Sequence, residues 1–172
     1  MKIRFEDFII RQCTPGHLKE VLCLQNETLP DLPSADILRE NTPEMLEECL
    51  NPPHHTVGAW YKGELAAFSV LYYPNNEKEN LSLSLKGIDV SGLITANNKL
   101  CIVRKKFRGN SLQYNLGLVL ERHAASNGTN LLCATVSPKN PYSINNILRL
   151  GFVYNNTLLK YGFERNLYYK FI

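Results

Sequence analysis

The sequence lacks the features of a secreted, disulfide-stabilised or membrane-spanning protein. Its five cysteines are an odd number, lie far apart and form no CxxC pair, so we expect reduced core thiols. No apolar run approaches membrane-spanning length, and the N-terminal segment MKIRFEDFIIRQ carries acidic residues where a signal peptide needs an unbroken apolar stretch. We therefore expect a cytoplasmic protein with no membrane partner.

The sequence also lacks the motifs of several classes of enzyme and binding protein. No GxxxxGK followed by Ser or Thr marks a P-loop, and no GxSxG elbow marks a serine hydrolase. His54 and His55 are adjacent, so on an extended segment they face opposite sides, and we expect no metal site there. The net charge of +3, from 19 basic and 16 acidic residues, is too balanced for the broad positive face of a nucleic-acid-binding protein.

The remaining pattern predicts one domain, residues 1–172, with enough hydrophobic residues for a core of its own. The predicted elements are a strand at 3–10, helices starting at 15 and 43, a hairpin at 55–74, a strand at 100–103, a helix at 111–126, a strand at 130–138, a helix at 140–150 and two closing strands. Residues 75–98 are polar and predicted to be a long, partly ordered loop. The order predicts a mixed α/β sheet with about seven strands, four helices and one parallel crossover.

The segment VRKKFRGNSLQ, residues 103–113, ends a strand in positive charge just before a helix. The first amides of a helix have no partner within it and attract anions. Gly109 and the small Ser111 leave those amides uncovered, while Lys105, Lys106 and Arg108 add positive charge. This pattern predicts a phosphate site.

A capping box explains the same residues without a ligand. Asn110 would cap the helix, and Gln113, three residues later, would reach back to the Asn110 amide. The eleven residues alone do not separate the two interpretations.

A second segment, NPYSINNILRLGF at 140–152, follows the next strand. The two segments together resemble the signatures of the GNAT family of N-acetyltransferases: a cofactor motif of strand, arginine-glycine turn and helix, and an Asn-containing helix that ends in Gly-Phe. The order of elements is similar to that family's over essentially the whole chain. The resemblance implies a GNAT-like fold with a central pair of parallel strands that splay apart, and acetyl-CoA between them.

The resemblance also implies which residues bind the cofactor. The pantetheine arm would pair with the backbone of the first splayed strand, the pyrophosphate would meet the arginine-glycine turn, and an asparagine and a small residue on the last helix would contact the arm. These positions are Cys101, Ile102, Val103, Arg108, Gly109, Asn110, Ser111, Leu112, Gln113, Asn140 and Ser143. No metal is implied.

The chain departs from the family pattern at three positions. Ser111 and Gln113 stand where the family usually has glycine and then glycine or alanine, and Ile147 stands where many members have a tyrosine that protonates the departing thiolate. Tyr161 is therefore the candidate acid, and Tyr142 is a more remote one. For both, packing is the alternative role.

The chemistry of acetyl transfer needs few side chains. A neutral amine attacks the thioester, and a backbone N–H near Val103 can stabilise the oxyanion. Glu27, on the first helix, is the candidate base, and a solvated helix residue is its alternative role.

These features predict an N-acetyltransferase that uses acetyl-CoA and acts on a primary amine of a small molecule or peptide, as a monomer or homodimer. One alternative is a CoA-binding module with little catalysis, suggested by Ile147. Another is a nucleotide-binding regulatory domain that uses the same helix terminus. Residues 28–41 and 75–98, expected to border the acceptor, contain no acidic cluster that would indicate a polyamine or aminoglycoside.

Overall fold

The computed structural model describes residues 2–172, and this part of the chain contains a seven-stranded sheet with helices on both faces. The strands are β1 Ile9–Cys13, β2 His55–Tyr61, β3 Glu64–Tyr72, β4 Thr95–Val103, β5 Leu131–Val136, β6 Val153–Lys160 and β7 Phe163–Phe171. The helices are α1 Leu18–Thr28, α2 Pro43–Cys49, α3 Leu112–Ser126 and α4 Pro141–Arg149. The strand order is β1-β2-β3-β4-β5-β7-β6, with β4 and β5 parallel and every other pair antiparallel. The predicted fold class and parallel crossover are confirmed.

The local signals at three element boundaries act as the sequence predicts. The Thr42 hydroxyl accepts a hydrogen bond from the Met45 amide at 3.2 Å, ahead of α2. The turn between β2 and β3 has left-handed backbone at Lys62 and Gly63 (φ 51° and 82°), which suits a two-residue hairpin. At Asn140 the side chain caps α4.

Two predicted boundaries were wrong. The first strand begins at Ile9 rather than near residue 3, because Phe5–Asp7 form a short 3-10 turn that brings Phe8 into the core. Strand β4 begins at Thr95 rather than at residue 100, since its polar residues Asn97 and Asn98 pair with β3. The predicted loop is therefore shorter than 75–98.

The alternation of β3 divides the core between the two faces of the sheet. Ala67 and Leu71 face α3 and α4, whereas Phe68, Val70 and Tyr72 face α1 and α2. The two helix pairs therefore lie on opposite faces.

The histidines and cysteines correct two further expectations. His123 lies on the apolar face of α3, where the sequence favours a core histidine, but it is only half-buried and its ring stacks on His55 with centroids 3.6 Å apart. All five cysteines are free; Cys23 was expected among the core thiols but is exposed.

His54 and His55 do face opposite sides, since His54 stacks instead on Tyr72. Within residues 2–172, no three His, Cys, Asp or Glu side chains are grouped as metal ligands would be. No helix in that part of the chain has the length and apolar character needed to cross a bilayer.

Candidate cofactor and acceptor site

The parallel strands β4 and β5 separate at the centre of the sheet. Their pairing runs only from Thr95–Leu131 to Asn97–Cys133. Beyond that point β4 stays paired with β3, and β5 stays paired with β7. The edges of β4 and β5 that face each other therefore have no strand partner there. We call this opening the fork, formed by residues 98–103 and 134–136. Unpaired strand edges can take up an extended ligand as an added strand.

A β-bulge lies where the fork opens. Val70 pairs with Leu100 and Leu71 pairs with Asn98, which leaves Lys99 as an extra residue in β4. A bulge bends its strand and ends regular pairing. The bulge and the loss of the β5 partner therefore coincide at residues 97–100.

The backbone of β4 presents alternate residues to the fork. The Arg104 amide donates to the Ala66 carbonyl at 2.8 Å, so the N–H groups of Cys101 and Val103 point away from β3 and toward the fork. Ile102 pairs with Phe68, and its own N–H therefore faces β3. Burial raises the pKa of the Cys101 thiol to about 12, so this thiol is not a nucleophile at neutral pH.

The turn before α3 overturns the capping-box interpretation. The Asn110 side chain is buried, accepts a hydrogen bond from the Ile3 amide at 2.7 Å and donates one to the Phe107 carbonyl at 3.0 Å. It therefore ties the N-terminal segment to the turn and does not cap the helix. No side chain caps α3 at its N-cap residue, Ser111.

The turn leaves a row of backbone donors open. None of the amides of residues 109–114 donates a hydrogen bond to another described residue. Gly109 and Ser111 are both left-handed, with φ 82° and 56°, which turns successive amides toward one side. The Arg108 side chain donates to the Val103 carbonyl at 3.3 Å and so lies between the turn and the end of β4. Such a row of amides at a helix start suits a phosphate.

Gln113, one of the three residues that depart from the family pattern, joins α3 to α4. Gln113 donates to the Ser143 hydroxyl at 2.8 Å and accepts from Asn146 at 3.3 Å. The side-chain oxygen Oδ1 of Asn140 accepts from the Ser143 amide at 3.1 Å, so this oxygen caps α4. The Gln113 side chain is thus directed toward α4 and does not reach back to residue 110.

Two cavities lie at the mouth of the fork, on the side of α1 and α2. Their volumes are about 60 and 250 Å³. They share the lining residues Arg39, Lys160, Tyr161 and Arg165, and we call them together the acceptor cleft. The smaller cavity is also lined by β4 residues 97–100 and by Glu79. The cleft therefore begins where the fork opens.

No protein-family model matches the sequence, and no curated protein matches it either. Solved structures do match the fold. The GNAT-family acetyltransferase from Streptococcus pneumoniae is 17% identical, with a TM-score of 0.71 over 96% of this chain and 99% of that chain. The ribosomal-protein-alanine N-acetyltransferase from Brucella melitensis is 17% identical, with a TM-score of 0.71 over 95% and 99%. A Salmonella typhimurium protein assigned as an acetyltransferase, solved with its cofactor acetyl-CoA, is 12% identical, with a TM-score of 0.72 over 96% and 94%.

This chain has the GNAT fold. The resemblance inferred from VRKKFRGNSLQ and NPYSINNILRLGF is thereby confirmed at the level of the fold, including the splayed parallel pair. Within this GNAT fold, residues 103–113 and 140–152 lie side by side, as the contacts of Gln113 with Ser143 and Asn146 show.

The three candidate catalytic side chains, and Ile147 at the usual position of the acid, lie in different surroundings. Tyr161 lines the acceptor cleft, and the Arg39 guanidinium lies over its ring at 3.9 Å from the centroid. Glu27 does not line the cleft; it is ion-paired with Arg104 and accepts from the Cys23 thiol. Tyr142 is 82% exposed on α4, and Ile147 is buried in the core between α4 and the sheet.

Sequence reasoning missed a carboxylate in the cleft. Glu79 accepts a hydrogen bond from the buried Tyr72 hydroxyl and lies 3.9 Å from the Lys99 ammonium. The Tyr72 hydroxyl also lies 2.9 Å from a Glu48 oxygen, so its single proton is shared between two carboxylates, and burial and these carboxylates raise the pKa of Tyr72. Glu79 is in the segment predicted to be a loop, and no local pattern distinguishes it from Glu77.

Proposed function

We propose that this protein is an N-acetyltransferase that transfers an acetyl group from acetyl-CoA to a primary amine of a small molecule or peptide. The observation that carries this proposal is the continuity of the fork with an uncapped helix start. An unpaired strand edge at 98–103 leads directly to the open amides of 109–114. Acetyl-CoA has the matching groups in the same order, an extended pantetheine arm for the strand edge and a diphosphate for the open amides.

The predicted cofactor residues divide into three roles in this proposal. Cys101 and Val103 hold the pantetheine amides through their backbone, while Ile102 keeps β4 attached to β3. The amides of residues 109–113, with Arg108, hold the pyrophosphate. Asn140 and Ser143 border the arm from α4, where the side-chain nitrogen Nδ2 of Asn140 donates no hydrogen bond to the described residues.

Acetyl-CoA supplies the activated thioester, and the chain supplies position, an oxyanion donor and proton transfer. A backbone N–H of the fork at the bulge donates to the thioester oxygen, since the Val103 N–H already binds the pantetheine arm. Tyr161 is the proposed acid for the leaving thiolate, since it lines the cleft. Glu79 is the proposed base, ahead of Glu27, because Glu79 lines the cleft and Glu27 does not.

The matched structures support the choice of cosubstrate and of nucleophile. The Salmonella protein contains acetyl-CoA, and the Brucella protein is named for acetylation of an alanine of a ribosomal protein. Both have this chain's fold; the first supports acetyl-CoA as cosubstrate, and the name of the second supports transfer to a nitrogen.

Calorimetric titration with acetyl-CoA, combined with a thiol-release assay over a panel of primary amines, tests the proposal. We expect a micromolar dissociation constant, within the range of typical enzyme substrates, and CoA release that depends on one or more amines. ATP and NAD should not displace acetyl-CoA at comparable concentrations, because neither has a pantetheine arm to pair with the fork.

The same two measurements identify the alternatives. Tight CoA binding without transfer to any amine would support a binding module. Displacement by ATP or NAD at equal concentration would instead support a nucleotide-binding regulatory domain.

Tyr161→Phe removes the proposed acid and nothing else. We expect kcat to fall by about 10²-fold, at the lower end of the effect of losing one general acid, with the acetyl-CoA dissociation constant unchanged. Tyr142→Phe, which removes the more remote candidate, provides the comparison. A normal rate for Tyr161→Phe would remove this tyrosine from the mechanism.

A further inference from the structure

We propose that the acceptor amine carries an anionic group, a carboxylate or a phosphate, which binds to Arg39, Lys160 and Arg165 in the acceptor cleft. This inference rests on the proposed acetyl transfer and specifies the class of acceptor. Its basis is an excess of positive charge in the cleft that the protein itself does not neutralise.

Most carboxylates of the cleft already have partners. Glu79 is paired with Lys99, and Asp36 accepts from Ser34 and is paired with Lys139 at 3.2 Å, outside the cleft. These contacts with Ser34 and Lys139 lower the pKa of the Asp36 carboxyl, so its charge persists and is neutralised locally. Glu40, at the rim, is exposed and has no ion pair within the described residues.

Three cations of the cleft have no carboxylate within 4 Å among the described residues. Arg39 lies over the Tyr161 ring, and Lys160 is half-buried. Burial lowers the pKa of Lys160, and Glu79, the carboxylate that opposes this shift, lies more than 4 Å from the ammonium and offsets only part of the lost solvation. Among the described residues, the cleft therefore has three cations and one carboxylate, Glu40, that form no salt bridge.

Arg165 is held in a fixed position but is only partly satisfied. Its Nη1 donates to the Asp36 carbonyl at 2.6 Å, which fixes the guanidinium, while its buried Nε has no partner. Burial lowers the pKa of this arginine as well. Unpaired buried donors are rare in folded proteins, and a guanidinium takes a carboxylate or phosphate through two parallel hydrogen bonds.

The cleft offers different partners to the two ends of an acceptor. The cations come from the segment before α2 and from the β6–β7 hairpin and line both cavities, whereas Glu79 and the fork line only the smaller one. An acceptor with its amine at Glu79 and its anion at the arginines would pair each of its charges with an opposite charge of the cleft. An acceptor with a second amine in place of the anion would meet like charge, which agrees with the absence of an acidic cluster in the two bordering segments.

Paired acceptors that differ only in charge test this inference. The probes are alanine, β-alanine and γ-aminobutyrate, each beside its carboxamide, and phosphoethanolamine beside ethanolamine. The carboxamide has the same shape without the charge, and its amine is less basic, so a preference for the acid cannot arise from easier deprotonation. We expect the best anionic probe to exceed its neutral partner in kcat/KM by at least about tenfold, or about 1.4 kcal/mol. The best pair also shows whether the anion is a carboxylate or a phosphate.

Arg39→Met should reduce that ratio to below about three while leaving the acetyl-CoA dissociation constant unchanged. Arg149→Met is the matched control, because Arg149 also lies over a tyrosine ring, 4.2 Å from the Tyr114 centroid, but on α4 outside the cleft. Arg165→Met should have the same effect as Arg39→Met, with thermal melting to confirm that it folds.

Equal rates for charged and neutral partners would overturn the inference and leave acetyl transfer intact. A ratio that survives both Arg39→Met and Arg165→Met would also overturn it. Transfer to no amine at all, with acetyl-CoA bound, would instead refute the proposed function, and the inference with it.

Discussion

Gly109→Val is expected to weaken acetyl-CoA binding at least tenfold without unfolding the protein. Gly109 has φ 82°, a conformation that costs a residue with a Cβ about 1–2 kcal/mol, so the turn would relax and its amides would point in different directions. A Cβ added at Gly109 meets no protein atom within 4 Å, so the new side chain would extend into the open space in front of the turn, where we propose the pyrophosphate binds. Calorimetric titration of the variant with acetyl-CoA measures the effect.

Gly92→Val is the matched control for this substitution. Gly92 has φ 73° and also has no atom within 4 Å of an added Cβ, so the backbone strain is similar. It lies in the segment before β4, away from the turn at 108–113. Equal acetyl-CoA affinity in folded Gly109→Val and in Gly92→Val would refute the phosphate cradle.

Local signals made most of the fold predictable from the sequence. Thr42 and Asn140 each precede a proline, and both cap the helix that the pair predicts. Lys62-Gly63 marks a hairpin because both residues can adopt positive φ. Signals of this kind depend on two to four neighbouring residues, so they are visible in one sequence.

The features that form the site depend on residues far apart in the chain. The fork and its bulge result from the pairing of β4 with β3 on one side and β5 on the other. Asn110 fits a helix cap by its local sequence, but it binds the Ile3 amide, 107 residues away. No periodicity encodes such a partner, and the local interpretation was therefore wrong.

The charged residues of the acceptor cleft could not be predicted from the local sequence either. Arg39, Lys160 and Arg165 come from segments separated by about 120 residues, and in the sequence each resembles a solvated surface charge. Only the folded chain places them around Tyr161. Tyr161 was selected as a tyrosine that could approach the thioester from a neighbouring strand, and in the structure it lines the cleft.

The second large effect is expected for Glu79→Gln, which should lower kcat by about 10² to 10⁴-fold at neutral pH, the usual cost of losing a general base. Glutamine keeps the shape of the side chain and can still accept the hydrogen bond from Tyr72, but it cannot take a proton from an ammonium. The loss should shrink as the pH rises, because an acceptor that is already neutral needs no base. The pH dependence of kcat/KM for both proteins measures this.

Glu27→Gln separates the two candidate bases. Glu27 is also a partly exposed carboxylate with a cationic partner, its side chain being 48% exposed against 36% for Glu79, so the two substitutions remove similar interactions. We expect Glu27→Gln to retain nearly the full rate at every pH, since the Arg104 contact lies outside the cleft. A pH-dependent loss in Glu27→Gln and none in Glu79→Gln would reverse the assignment and return the base to α1. A loss in Glu79→Gln that stays constant with pH would mean that the carboxylate only positions Tyr72 and Lys99, because a structural defect is not repaired by deprotonating the acceptor.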